Sequence, residues 1–186
     1  MKDNIIIDVT GYDKVLFKEG GTLEELLKKI DAPKNIIAGI INNEIVELNY
    51  KLKEDTTVKL ITTNDRQGSK IYINGLKFLY ITAIKELYGA STDVRLKHSL
   101  DKGIYTTIDM ELNTKVLDDI KAKMHELVEK DLQIEKITTS RKEAIKYFDS
   151  INEHEKSSNY KQMTNEVVTL YSLLDYYNYF FSPMPI

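Results

Sequence analysis

The sequence predicts an α+β protein made of two consecutive parts, and three observations support this prediction. Short apolar strands and amphipathic helices follow one another along the 186 residues. Hydrophobic residues make up 42% of the chain and charged residues 30%, a balance typical of a globular protein rather than a disordered one. A polar segment with a glycine, residues 64–70, separates an N-terminal part with one helix from a longer part with several.

The first part, residues 1–63, predicts the order strand, strand, helix and three more strands. "NIIIDVTGYDKVLFKEG" gives two strands around a turn at residues 11–13. The helix "TLEELLKKI" begins at Thr22, whose capping-box partner is Glu25. "IIAGIINNEIVELNYKL" predicts a hairpin that turns at residues 42–43, since Asn tolerates positive φ, and "TTVKLITT" predicts the last strand. One helix on a mixed sheet in this order is the β-grasp pattern.

The second part, residues 64–186, predicts a more mixed α+β arrangement. A helix is expected over 74–88, and "DVRLKHSLDKGIYTTIDME" is expected to form two strands. Residues 114–130 show an apolar stripe typical of an amphipathic helix. "LQIEKITTS" predicts a strand, after which Ser140 begins another helix, and "NEHEKSSN" predicts a solvated loop. The C-terminal apolar segment predicts paired strands.

The bulk composition argues against several classes of function. The formal net charge is −3 and is evenly spread, so no global basic field exists to attract nucleic acid. The absence of cysteine excludes disulfides, thiolate nucleophiles and cysteine-bound zinc. No apolar run approaches the roughly 20 residues that span a bilayer, and the N-terminus has no signal-peptide pattern. We therefore expect a cytoplasmic protein without a membrane partner.

Catalytic motifs are also missing from the sequence. It contains no GxxxxGK[ST], GxGxxG or HExxH pattern. Of the three histidines, His125 is expected on the surface of a helix and His154 in the solvated loop. His98 stands beside Lys97 and Ser99 before a turn, so a role in a pocket and ordinary packing are both open for it.

The first 63 residues resemble a TGS domain, the β-grasp module found at the N-terminus of threonyl-tRNA synthetase and in some GTPases and stringent-response enzymes. The resemblance is carried by "GGTLEELLKKI" followed by "IIAGIINNEIVELNYKLKEDTTVKLITTND". It implies a β-grasp fold for this part of the chain.

Residues 64–186 are similar to the second N-terminal domain of threonyl-tRNA synthetase, which edits mischarged tRNA. "AIKELYGA", "GIYTTID" and "SRKEAIKYF" carry this resemblance. The editing domain has an HxxxH and a CxxxH motif, which the resemblance places on Asn74 and Phe78, and on Phe180 and Met184. None of these residues can form a usable zinc site or act as a general base at neutral pH. The resemblance therefore implies an editing scaffold with no catalytic residue and no metal, whose cleft is filled and dry.

The two resemblances together also match the N-terminal half of bacterial nucleoside kinases of the uridine kinase/phosphoribulokinase type. In those enzymes a P-loop kinase domain follows, and the apolar ending "FFSPMPI" resembles the segment that leads into it. This resemblance implies that the chain stops before a kinase domain. ATP and Mg²⁺ are then expected only for that domain, and no cofactor is expected for this segment, which is not itself an enzyme.

Three functions follow from these resemblances. The first is a non-catalytic ligand-binding or regulatory region of a nucleoside (uridine) kinase, with the kinase domain as partner. The alternative is a tRNA- or RNA-binding module, and the least favoured is a free-standing hydrolase of mischarged tRNA. A nucleotide-like ligand would bind in a cleft, and the oligomeric state stays open. The expected cleft residues are Asn74, Lys77, Phe78, His98, Tyr105, Phe180 and Met184.

Overall fold

The fold is α+β, as predicted, in a computed structural model of the chain. The structure describes residues 4–100, 103–180 and 182–185, the side chains of 98–100 excepted. Contacts divide the chain into a first unit, Met1–Leu76 with Phe180–Ile186, and a second unit, Lys77–Tyr179. The predicted domain limits 1–63 and 64–186 stay a sequence-based prediction. None of the helices in the described ranges has the length and apolar character needed to cross a membrane.

The first unit contains a five-stranded mixed sheet. Its strands are β1 (Asn4–Val9), β2 (Val15–Lys18), β3 (Ile36–Ile41), β4 (Glu44–Val46) and β5 (Thr56–Thr62). The spatial order is β2-β1-β5-β3-β4. The central pair β1–β5 is parallel, and the other neighbouring strands are antiparallel. A parallel pair needs a crossover, and the helix between β2 and β3 lies within it.

That helix, α1 (Leu23–Lys29), begins at the predicted capping box. The Glu25 amide donates to Thr22 Oγ1 at 3.2 Å, and the Thr22 amide donates to Glu25 Oε2 at 2.9 Å. Two amides at the start of the helix are thereby satisfied. The helix buries one face in the core of the unit. The buried residues of this core include Ile5, Ile7, Val9, Leu23, Leu26, Leu27, Leu52 and Val58.

The β3–β4 hairpin turns at the predicted pair of asparagines. Asn42 has φ 50° and Asn43 has φ 66°, the left-handed backbone that a tight two-residue hairpin turn requires. Asn adopts this conformation more readily than other non-glycine residues, because its short polar side chain can bond to the local backbone. This turn fixes the register in which Ile41 pairs with Glu44.

The long helix α2 spans Arg66–Tyr88, so the predicted start at Asn74 is wrong. The polar segment expected to be a boundary supplies its first turn. Its glycine has a packing role: a Cβ at Gly68 would lie 1.9 Å from the carbonyl oxygen of Thr62. The helix backbone therefore approaches the end of β5 more closely than any side chain permits. Residues 66–76 of α2 belong to the first unit.

The early turns of α2 cover part of the second face of the sheet. Val58 and Ile61 are an odd number of residues apart on β5, so they lie on opposite faces. Val58 faces the core that contains α1, whereas Ile61 packs with Ile71 of α2. Both faces of β5 are thus partly buried.

The second unit contains the rest of α2, a hairpin, a three-stranded sheet and three further helices. The hairpin is β6-β7, and the antiparallel sheet has the order β10-β9-β8. The bounds are β6 (Val94–Leu100), β7 (Gly103–Ile108), α3 (Thr114–Glu129), β8 (Glu135–Ser140), α4 (Arg141–Ser150), α5 (His154–Gln162), β9 (Val167–Leu173) and β10 (Tyr176–Asn178). The predicted capping box of Ser140 and Glu143 begins α4.

Helix α3 buries a narrower stripe than predicted. Ile120 and Leu127 are buried in the second unit, but Leu117 is 56% exposed and Val128 is 61% exposed. At about 100° per residue, Leu117 and Val128 lie roughly 60–80° round the helix from Ile120. They therefore stand at the margin of the buried face, where the helix begins to turn towards solvent.

The segment expected to be a solvated loop forms helix α5, so that prediction is wrong. Although its composition is polar, α5 buries Ser157 and Tyr160, which lie three residues apart on one face. The Tyr160 ring stacks on Phe148 of α4 with 5.6 Å between centroids. His154 is exposed at the first turn of α5, and His125 is exposed on α3, as predicted for a surface residue.

Gly68→Ala provides a test of the approach of α2 to β5. In an exposed helix this change raises stability by about 1 kcal/mol. Here the added methyl meets the Thr62 carbonyl, and we expect the free energy of unfolding to fall by about 1–3 kcal/mol. Urea denaturation followed by circular dichroism measures it. Ser69→Ala, at an exposed position of the same helix, is the control and should leave stability unchanged or higher. A stabilised Gly68→Ala protein would show that the backbone contact is not rigid.

Candidate functional site

Asn74, the position that the resemblance assigns to the first metal ligand, contacts the C-terminal segment of the first unit. It lies in α2 beyond the first turn and is half-buried. Its Nδ2 donates to Ser182 Oγ at 2.5 Å. The side-chain amide is therefore held by a hydroxyl group, in an arrangement that contains neither a base nor a nucleophile paired with one.

The C-terminal segment 182–185 makes two further contacts in the first unit. Gly75 lies against Pro185, because a Cβ at that glycine would fall 2.3 Å from Pro185 Cγ. Met184 is buried, and its backbone amide donates to Glu47 Oε1 at 3.1 Å. Glu47 is itself buried. A hydrogen bond from a buried amide to a buried carboxylate fixes the segment against β4 and its following turn.

The expected cleft residues are distributed over both units. Phe180 is half-buried in the first unit. Lys77 is half-buried, Phe78 is buried and Tyr105 is exposed in the second unit. The side chain of His98 lies outside the described residues. The structure thus places Asn74 against the C-terminal segment 182–185, which contains Met184. The cleft as a whole stays a prediction.

Within the described ranges, no three His, Asp or Glu side chains converge on one point. Asn74, Phe78, Phe180 and Met184, the four positions that the resemblance assigns to the metal-ligand motifs, offer an amide, a thioether and aromatic rings. Such groups can donate hydrogen bonds and make apolar contacts, but they provide no general base at neutral pH.

The second unit contains a buried cluster of charges that the sequence did not predict. Lys85, on α2, is 3% exposed, and its Nζ lies 3.1 Å from Glu153 Oε1. The same Nζ donates to the carbonyl oxygens of Ala90 at 2.6 Å and Thr92 at 3.3 Å. Lys156 Nζ approaches the other Glu153 oxygen at 3.3 Å. The start of α5 is thereby tied to the C-terminal half of α2.

The two lysines of this cluster differ in how well they are satisfied. Burial lowers the pKa of Lys156, and Glu153 opposes this effect only in part. The ammonium of Lys156 also lies 5.7 Å from the centroid of the Phe148 ring, at a distance where a cation is attracted to an aromatic face. Lys85 has a carboxylate and two carbonyls around it. The sequence indicates this buried cluster only through one lysine, Lys85, within the apolar stretch "YITAIKELY".

The Met184 amide offers a test of how the C-terminal segment is fixed. We expect its hydrogen exchange to be slow in the wild-type protein, because the amide is buried and bonded to Glu47. Glu47→Ala should speed the exchange, whereas Glu47→Gln keeps an acceptor oxygen and should retain most of the protection. Exchange followed by NMR measures both. Protection at the wild-type level in both variants would show that Glu47 does not hold the segment.

Substitution of each lysine to methionine separates their roles in the buried cluster. Lys85→Met removes the cation that three acceptors share, and we expect a loss of about 3–5 kcal/mol in the free energy of unfolding. Lys156→Met keeps an unbranched apolar side chain over Phe148 and leaves Glu153 paired with Lys85, so the loss should be under about 1 kcal/mol. Thermal and urea unfolding compare the two, and the reverse order would contradict this assignment.

Comparisons with known proteins agree with the β-grasp sheet and extend beyond it. Residues 5–63 match the model of the ThiS family. The chain is 28% identical over 150 residues to the threonine–tRNA ligase of Clostridium kluyveri, which is 79% of this chain and 23% of that protein. It is 30% identical over 149 residues to the threonine–tRNA ligase of Caldanaerobacter subterraneus subsp. tengcongensis, and 32% identical over 146 residues to that of Methylococcus capsulatus. Each of these two matches covers 77% of this chain and 23% of the relative.

The matched share of the relatives limits what the similarity means. The chain spans about a quarter of the length of the curated relatives that it matches, 23% in these three cases. The match to the Clostridium kluyveri protein extends over 150 residues and 79% of this chain, more than the β-grasp part contains, so it reaches into the second unit. The chain therefore has a ThiS/TGS-like β-grasp domain and is similar to the N-terminal part of threonyl-tRNA synthetase.

Proposed function

We propose that this chain is a tRNA- or RNA-binding module related to the N-terminal domains of threonyl-tRNA synthetase, and that it carries no editing chemistry. The observation that supports this most is the similarity to threonine–tRNA ligases over 77–79% of the chain. Those relatives, by their name, act on threonine and tRNA. A shared RNA partner is the simplest reason for both units to be matched together.

The proposal of binding without chemistry is supported by the side chains at the positions assigned by the resemblance. Asn74 is engaged by a serine hydroxyl, and Met184 is buried beside Glu47. Phe78 is buried as well. Hydrolysis of an aminoacyl ester needs an activated water and a group that accepts its proton, and none of these side chains provides either.

The nucleoside-kinase interpretation is less well supported than this alternative. The relatives named above are tRNA ligases, and no kinase is among them. The kinase domain, the ATP and Mg²⁺ that it would need, and a nucleotide-like ligand stay predictions from the resemblance alone. RNA binding needs none of them.

The overall charge sets the expected strength of RNA binding. With a net charge of −3, the chain as a whole repels a polyanion, so binding must depend on a local surface. Such a surface neutralises few phosphates, and each phosphate contact adds about 0.7–0.9 to the salt slope of the affinity. We therefore expect moderate affinity with a shallow dependence on salt.

Fluorescence anisotropy with labelled tRNA tests the proposed function. We expect binding at about 50 mM salt, with a slope of log K against log [salt] of about −2 to −3. Polyglutamate is the control, because it is a polyanion without bases or riboses, and it should not compete. Absence of binding at low salt, or equal competition by polyglutamate, would overturn the proposal.

The same preparation tests whether chemistry is absent. Mischarged seryl-tRNA incubated with the protein should lose its amino acid at the spontaneous rate. A faster release that disappears in His98→Ala would contradict the absence of chemistry and would favour the hydrolase interpretation instead.

A further inference from the structure

The early turns of α2 carry an exposed face with cations and an aromatic ring. Arg66 and Lys70 are exposed one helical turn apart, about 40° from each other round the helix. Tyr72 is 53% exposed and Leu76 is 42% exposed, and both lie to one side of the cations, Leu76 about 80° and Tyr72 about 120° round the helix from Arg66. We call Arg66, Lys70, Tyr72 and Leu76 the α2 basic face. All four residues belong to the first unit.

The cations of the α2 basic face are not neutralised by their surroundings. No acidic residue occurs between Arg66 and Lys85 in the sequence of the helix. Neither Arg66 nor Lys70 forms an ion pair with any residue that the structure describes. The carboxylate of Asp65 is engaged with Thr62, whose amide donates to it at 2.7 Å and whose hydroxyl donates at 2.8 Å.

Several lysines on other helices of this chain have local partners. Lys28 lies 2.6 Å from Glu24 on α1, and Lys115 lies 2.7 Å from Asp119 on α3. Lys29, next to Lys28, donates to the carbonyl oxygen of Leu16. Compared with these, the α2 basic face presents positive charge that remains available to an external anion.

Stability does not explain why these cations stand where they do. The start of a helix carries a partial positive charge, so acidic residues stabilise it and basic residues do not. Helix α1 follows this rule with Glu24 and Glu25 in its first turn, and α4 follows it with Glu143. Helix α2 has no acid in its first turn and begins with Arg66; α3 has none either, but its Lys115 is paired with Asp119. Departures from local preference occur mainly where function requires them.

We propose that the α2 basic face is the surface that contacts RNA, and that the RNA is single-stranded where it touches this face. This inference rests on the proposed RNA-binding function. Arg66 and Lys70 bind neighbouring phosphates, since cations one turn apart follow a strand. The strand then crosses the helix, and Tyr72, about a third of a turn round from Arg66, stacks on an unpaired base. A duplex offers no free base face to an exposed tyrosine, and for this reason a single-stranded segment fits better. A protein partner would need apolar contact across the whole face, and the side that carries Arg66 and Lys70 is charged instead.

The double variant Arg66→Gln/Lys70→Gln tests the phosphate contacts. Its affinity for tRNA and for a short single-stranded RNA should fall about tenfold or more at about 50 mM salt, and the salt slope should become shallower by about 1.4. The melting temperature should not fall, because removing cations from the start of a helix relieves unfavourable charge. A structural role for the two residues would instead lower the melting temperature together with affinity.

Lys142→Gln/Lys146→Gln is the matched control for this double variant. These lysines are exposed on α4, and their substitution removes the same charge at the same spacing. We expect this control variant to change affinity less than threefold, because the proposed RNA contact lies on α2 and not on α4. Losses of equal size in both double variants would mean that only net charge matters, and this would overturn the proposal.

Substitutions of Tyr72 distinguish the contribution of base stacking to RNA binding from that of charge. Tyr72→Ala should weaken binding of single-stranded RNA about tenfold, whereas Tyr72→Phe keeps an aromatic ring and should bind like the wild type. Equal loss in both variants, or none in either, contradicts stacking.

If the wild-type protein binds RNA but Arg66→Gln/Lys70→Gln binds equally well, the α2 basic face is not the contact while the proposed function stands. If the wild-type protein binds no RNA at low salt, both fall.

Discussion

The close approach of α2 to the end of β5 is the constraint on which the first unit depends. Gly68 allows the helix backbone to lie against the Thr62 carbonyl, at a separation that excludes any Cβ. With the helix held there, Ile71 packs on the sheet, and the side chains on the other side of the same turns face solvent. One backbone contact therefore decides both what α2 buries and which of its charges remain exposed.

Local sequence rules predicted the first unit well because its features depend on neighbouring residues. The capping box at Thr22 and the turn at residues 42–43 involve side chains and backbone within a few positions of each other. The start of α2 was missed because Gly68 was interpreted as a chain breaker, although its role is packing against a residue of β5. Helix α5 was missed because two buried residues, Ser157 and Tyr160, outweigh its polar composition.

The candidate site shows what a single sequence does not contain. The family resemblance identified Asn74 and Met184 as positions of interest, but not what they contact. Ser182 lies 108 positions from its partner Asn74, and the Met184 amide bonds to Glu47 across 137 positions. No periodicity or motif links residues so far apart. The buried Lys85–Glu153 pair was missed for the same reason, because a charge in a sequence is normally a sign of exposure.

An acidic chain and a phosphate-binding surface are compatible, because the field that an RNA strand meets is local. Exposed charges more than about 10 Å apart are largely screened from each other at about 0.1 M salt. The acidic excess of the chain is spread over its length, and within one screening length of Arg66 along α2 there is no carboxylate beyond Asp65, which Thr62 engages. The net charge therefore limits how many phosphates the protein can neutralise. It does not limit whether one uncompensated helix face can hold a short stretch of a strand.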